Sequence, residues 1–278
     1  MCYNNSKFKT RRAACMSVAL ITGASGGIGG ALARGLVSEY DVSEAWLVGR
    51  SEKKLSALKE ELLRIKDGVS VRIITADLTK EEGIAAVKEA IISGGKRLKY
   101  LVNAAGFGKF GTFSEVSERD ISDMIDLNSK ATVLLTHAAI PYMERGGRII
   151  QLGSGSCFTP LPAFNVYASS KIFVLHYTKA LNHELKPYGI RATCFCPGWV
   201  ETDFFDVAIE DGVTRPEIKK MKPMLDVEKV TRGCLRAVRR GKTLYTTNWY
   251  TKLQHLLFKI VPDPILTALW KGMLNKKM

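Results

Sequence analysis

Along most of the chain, short apolar runs alternate with stretches whose apolar residues recur every three or four positions. The runs Ser17–Ile21, Ala45–Val48, Val69–Thr75, Tyr100–Val102, Arg148–Leu152 and Arg191–Cys196 predict six strands. The stretches Ile28–Ser38, Lys53–Lys66, Glu81–Ile92, Asp120–Tyr142 and Ala168–Leu185 predict the helices between them. Strands this uniformly apolar are buried on both faces, and helices of this length supply the crossovers. The pattern predicts a doubly wound α/β fold with a parallel sheet and right-handed connections. No repeat and no low-complexity linker interrupts the chain before residue 206, so the alternating unit reads as one domain.

Composition narrows the class. The chain has 278 residues, 46% of them hydrophobic and 24% charged, which is ordinary for a globular protein and excludes disordered or collagen-like readings. Six Cys stand at 2, 15, 157, 194, 196 and 234 with no CxxC pair and no His cluster at metal-ligand spacing. Neither a disulfide framework nor a metal site is expected, and a reducing compartment is.

The formal charge of +14 suggests nucleic acid until it is located. Residues 1–16 carry four basic and no acidic side chains, and residues 215–278 carry 15 basic and four acidic ones. Between them lie 22 basic and 23 acidic side chains, so the body is neutral. A groove reader builds its positive surface into the folded domain, so no nucleic-acid partner is expected. No run reaches the ~18 apolar residues of a membrane span. Val18–Ile21 leads straight into Thr22-Gly23, with neither a signal-peptide core nor a cleavage site, so the expected location is cytoplasmic.

Chemistry is concentrated at the predicted strand ends. Thr22-Gly23-Ala24-Ser25-Gly26-Gly27-Ile28-Gly29 follows the first strand and opens a helix. Gly23 suits a tight turn, Gly27 the close approach of a pyrophosphate, and Gly29 close helix–strand packing. At the end of the second strand no acid occupies 47–50, and Arg50 stands where a 2′-phosphate would be recognised. That favours NADP, with NAD as the alternative. Tyr167 and Lys171 are spaced i, i+4 on a predicted helix, where an ammonium lowers the pKa of a phenol toward useful values. Ser154 lies thirteen residues before Tyr167, at the end of the fifth strand.

These residues resemble the short-chain dehydrogenase/reductase family over about residues 17–205. The resemblance rests on Thr22-Gly-x-x-x-Gly-x-Gly29, Asp77, Asn103-Ala-Ala-Gly106, Asn128, Ser154, Tyr167, Lys171 and Pro197-Gly198-x-x-x-Thr202. Ala104 and Gly153 depart from it, standing where the family often has Asn and Ser.

The resemblance implies a Rossmann-type domain over 17–248, after a basic leader at 1–16 and before a helical extension at 249–278. It implies that Tyr167 exchanges a proton with the substrate oxygen and that Ser154 hydrogen-bonds that oxygen. Lys171 would hold the nicotinamide ribose, and Asn128 a water in a proton relay. Gly23, Ser25, Gly27, Ile28, Gly29, Arg50, Asp77, Asn103, Gly106, Tyr167, Lys171, Pro197, Gly198 and Thr202 would contact the cofactor. A homodimer or homotetramer is expected. The alternative reading is a non-catalytic dinucleotide-binding or scaffold protein, against which Asn128, Ser154, Tyr167 and Lys171 all count.

Two further segments bear on substrate. Phe107–Phe113 and the irregular stretch Phe204–Leu225, with Phe204, Phe205, Val207, Ile209, Met221 and Met224, would form an apolar mouth for a bulky, lipophilic ketone or alcohol such as a steroid or long-chain oxoacyl group. Cys157 is placed in a loop at that mouth. The extension carries two stripes at helical spacing, Trp249/Leu253/Leu256/Leu257/Ile260/Val261 and Ile265/Leu266/Leu269/Trp270/Met273/Leu274, with Asp263 as a candidate N-cap. It is expected to serve association, either as peripheral contact with a membrane or by docking onto the domain or a partner subunit.

Overall fold

A computed structural model describes residues 17–40, 42–204, 208, 224–247, 249–257 and 260–273. The sequence VALIT of β1 (Val18–Thr22) is wholly buried. Its side chains alternate between two cores: Ala19 and Ile21 face one, Val18 and Leu20 the other. Six more strands join it in parallel: β2 (Glu44–Gly49), β3 (Ser70–Thr75), β4 (Leu98–Asn103), β5 (Met143–Leu152), β6 (Arg191–Cys196) and β7 (Leu244–Thr246). Their spatial order is β3-β2-β1-β4-β5-β6-β7, so the winding reverses between β1 and β4. Ligands of doubly wound sheets bind at the carboxyl ends of the strands beside such a reversal.

Helices cover both faces. On one side lie α1 (Gly27–Glu39), α2 (Glu52–Ile65) and α7 (Val227–Arg239), burying Leu32, Leu36, Leu55, Leu62, Cys234 and Leu235. On the other lie α3 (Glu81–Ser93), α5 (Thr132–Ala139) and α6 (Asn165–Leu185), burying Ile84, Val87, Leu135, Leu181 and Leu185. The single helix predicted over Asp120–Tyr142 is α4 (Glu118–Ile125), a wider π-helical turn over Asp126–Ala131, then α5 and a short turn to Tyr142. β7 and α7 escape the sequence reading. β7 is three residues at the sheet edge, and the apolar stripe of α7 lies among four Lys and Arg.

The extension is helical, as α8 (Trp249–Leu257) and α9 (Asp263–Met273). α9 begins one residue before its expected first turn, since Pro262 O accepts from Ile265 and Leu266 N at 3.0 and 3.4 Å. The basic leader 1–16, the mouth residues Phe205, Val207, Ile209 and Met221, and Lys259, Leu274, Lys276 and Lys277 lie outside the described residues.

Candidate active site

The chain leaves β1 through Gly23, whose φ of +67° is left-handed. A Cβ there would lie 2.6 Å from Ala105 N, and one on Gly29 would lie 2.2 Å from Gly23 O. Only glycine lets this turn fold back on itself and press against the exit of β4. Thr202 closes over the same turn, since a Cβ on Gly27 would meet Thr202 Cγ2 at 2.5 Å. No side chain caps the start of α1. Its first amides and positive dipole end are therefore offered to an anion, and Ile28 anchors that turn against the core. This cradle fits the diphosphate of a dinucleotide.

Neighbouring residues extend the cradle. Ser25 abuts Gly49, whose Cβ would lie 2.8 Å from Ser25 Oγ, and the exposed Arg50 follows directly. The Asp77 carboxylate accepts from Thr79 N and Oγ1 at 3.0 and 2.8 Å. Burial works against its ionisation, yet these bonds and the charges of Arg50 and Lys80 hold the carboxyl below its usual range. Pro197 O accepts from Gly155 N at 2.7 Å, and Gly198 N donates to Thr247 Oγ1 at 3.2 Å. Those bonds fix the turn that presents Thr202.

Asn103 ends β4. Its buried amide donates to Thr136 Oγ1 and Gln151 Oε1, both at 2.9 Å. The side chain bolts β4 to β5 and α5, and the turn after it, through Gly106, forms the sheet edge.

Asn128 sits fully buried in the π-helical turn, a distortion often found at functional sites. Its Oδ1 accepts from Phe107 N at 3.1 Å, while Nδ2 donates to Phe107 O at 2.9 Å and Ser170 Oγ at 3.0 Å. Both amide hydrogens are used, so the side chain clamps the Gly106–Phe107 turn. A Cβ on Gly106 would lie 2.8 Å from Asn128 Oδ1 and 3.0 Å from Lys171 Nζ. All three residues therefore converge.

Tyr167 and Lys171 occupy the first two turns of α6, and both are buried. Lys171 Nζ donates to Leu152 O at 2.9 Å and lies 5.7 Å from the centre of the Tyr167 ring. Burial pushes the ammonium down to about 8. The expectation that it lowers the Tyr167 pKa does not hold here. Burial raises the phenol strongly, and the bond that draws it back is with Ser154. Ser154 Oγ also accepts from Ser156 N at 3.1 Å. Cys157, expected at the mouth, is instead buried behind Ser154. Its Sγ accepts from Ser154 N at 3.3 Å and donates to Lys171 O at 3.1 Å.

Tyr167 packs in a cluster of rings. Phe164 lies 4.4 Å from Tyr167 between centroids, Phe204 lies 5.4 Å away, and Phe110 stacks on Phe164 at 4.0 Å. Phe113, at the end of the expected mouth segment, is instead 87% exposed. Trp270 of α9 is buried in the same cluster, and its indole N–H donates to Pro162 O at 2.9 Å. That carbonyl precedes Ala163, which holds a left-handed φ of 60°. The extension thus docks onto the domain at the candidate site. Phe164 and Trp270 were not singled out as site residues from sequence. The only signal was the Leu266/Trp270 spacing, which marks a buried face without naming what it covers.

The model of the short chain dehydrogenase family matches residues 17–211. The chain belongs to the short-chain dehydrogenase family. It is an NAD(P)-dependent dehydrogenase/reductase with the family's Rossmann fold. Relatives include sulfoacetaldehyde reductase 2 of Chromohalobacter salexigens, 35% identical over 67% of this chain and 74% of that one. The 11-beta-hydroxysteroid dehydrogenase-like 3 of Arabidopsis thaliana is 30% identical over 88% of this chain and 78% of that one. Among solved structures, a short-chain dehydrogenase from Sphingobium yanoikuyae in complex with NADPH superposes with TM-score 0.75 at 26% identity, covering 94% and 96% of the two chains.

Proposed function

We propose that this short-chain dehydrogenase prefers NADP and interconverts a lipophilic ketone, steroid-like or long-chain oxoacyl, with its secondary alcohol. The observation that carries the substrate reading is the aromatic wall of Phe110, Phe164, Phe204 and Trp270 beside Tyr167. Such walls suit apolar ligands that bury most of their surface. The preference for NADP rests on Arg50 and on the absence of an acid at 47–50.

NADPH, when bound, supplies the hydride. Gly23, Ser25, Gly27, Ile28, Gly29, Arg50, Asp77 and Thr202 would hold it, with the Gly106 and Pro197-Gly198 turns on either side. Tyr167 donates the proton to the substrate oxygen, and a phenol that burial keeps protonated at neutral pH suits that direction. Ser154 shares the phenol hydrogen bond and stabilises negative charge developing on the same oxygen. Lys171 keeps a cation beneath the ring, and Asn128 positions the Gly106–Phe107 turn. A homodimer or homotetramer would form through the exposed Ile125 of α4 and Ile172 and Phe173 of α6, helices that pack side by side.

Steady-state rates with NADPH and NADH against steroid ketones, oxoacyl thioesters and sulfonated or simple short aldehydes test the proposal. The expected result is preference for NADPH and for the bulky apolar substrates. Faster turnover of sulfoacetaldehyde than of any bulky ketone would overturn the substrate reading.

A further inference from the structure

Which sides of α8 and α9 face inward is fixed by contact. In α8, Thr251 is buried against Gly198, whose Cβ would lie 3.0 Å from Thr251 Cγ2, and His255 lies 4.4 Å from the ring of Phe158. At 100° per residue, positions 253, 256 and 257 centre opposite that pair. A helix docked on a domain normally turns polar residues outward there. Here the outward residues are Leu253, Leu256 and Leu257, with Leu256 55% exposed, and Ile260, in the turn after the helix, is 72% exposed. In α9, Leu266 and Trp270 are buried, while the flanking stripe of Ile265 and Leu269 is open, Leu269 at 63%.

We propose that this outward face is a docking surface for an anionic membrane. Charge selects the occupant. Lys252 and Lys271 are exposed on the two helices, and residues 249–278 hold five Lys against one acid, Asp263. An apolar stripe edged by Lys252, in a segment of net positive charge, suits the boundary between anionic headgroups and acyl chains. A second copy fits less well, because a twofold contact apposes the same surface on both subunits and would set lysine against lysine. Neither helix spans, since no described helix is long and apolar enough to cross a membrane. The buried side of α9 carries Trp270 at the aromatic cluster of Tyr167, so a seated tail brings that cluster close to the bilayer.

Co-sedimentation of the full chain with sucrose-loaded vesicles tests the surface without any substrate. Vesicles of phosphatidylcholine alone are compared with vesicles containing phosphatidylglycerol, each at low and high salt. The chain should sediment with the anionic vesicles at low salt and be released as screening rises. Replacing Leu256 and Ile260 together by Ser removes exposed apolar groups and no charge. It should weaken partitioning at least ~tenfold while leaving Tm and NADPH turnover of a water-soluble ketone unchanged. Absence of wild-type sedimentation with anionic vesicles at low salt overturns the proposal, as does a double variant that sediments like wild type. Loss of a dimer in the double variant, read by light scattering with vesicle binding unaltered, would assign the face to a second copy instead.

Discussion

Thr22–Gly29 builds most of the cofactor cradle from eight consecutive residues, whereas the wall beside Tyr167 draws on Phe110, Phe164, Phe204 and Trp270, spread over 160 positions. The cradle works through backbone. Its glycines are required by contacts as short as 2.2 Å, and its ligand-facing groups are amides. The wall works through side chains of long-range neighbours, held by the bond from Trp270 to Pro162. Backbone recognition tolerates only the residue type whose conformation it needs, while an apolar wall can be filled by many combinations of equal volume. The cradle should therefore govern cofactor and be insensitive to the tail, and the wall should govern substrate.

The largest effect should come where the two regions meet. Tyr167→Phe keeps the ring in the aromatic cluster and removes the transferable proton. kcat should fall by ~10²–10⁴, with NADPH affinity by fluorescence unchanged. Retention of more than about a tenth of kcat would remove Tyr167 from the proton-donor role.

Lys171 offers a test by stability. Burial lowers it from 10.5 to about 8 in the folded chain. Between those pH values Lys171 keeps its proton in the unfolded chain and sheds it in the folded one, so its own contribution to the stability of the cofactor-free protein rises with pH, against the opposite contribution of the buried Cys196 and Cys234 thiols, whose ionisation burial disfavours. Below about 8 both states carry the proton and the cost of the buried ammonium is fully present. The stability difference between Lys171→Met and wild type should therefore narrow by on the order of 3 kcal/mol as pH rises through that window. Urea unfolding at several pH values measures it, and an equal slope in the variant would show that the cation is not desolvated.

These two regions were not equally legible in the sequence. The alternation of runs gave the sheet and its crossovers, because both faces of β1 and β2 are buried and their polar residues, Thr22 and Glu44, stand only at strand ends. The glycine turn, Ser154, Tyr167 and Lys171 could be read because local spacing places them at strand ends or on one helix face. The structural bonds of Asn103 are not legible, because a side chain's partners, here Thr136 and Gln151, are set by packing across the sheet. The sign of the Tyr167 shift was missed for a related reason. Spacing places Lys171 near the ring but says nothing of burial, which dominates. The aromatic wall was half seen, since Phe110 and Phe204 lie in segments whose composition announced a mouth, whereas Trp270 arrives from a helix whose docking place no local pattern specifies.

A smaller effect is expected from Arg50→Asp. Replacing a phosphate partner by a ribose partner should lower the ratio of kcat/KM for NADPH over NADH by ~tenfold or more, with the preference among ketones unaltered. A ratio that does not move would make Arg50 a solvated turn residue and leave cofactor choice to other parts of the cradle.

The division of labour is tested most directly at Trp270. In Trp270→Ala, kcat/KM for a bulky apolar ketone relative to a short aldehyde should fall at least ~tenfold, because removing an indole from a substrate wall costs more than the one or two methylenes that give ~10–200-fold discrimination. The KM for NADPH should stay at its wild-type value, showing that the cradle is intact. If Tm drops while the substrate ratio holds, the tail only props the fold, and the claim that it forms part of the substrate wall is wrong.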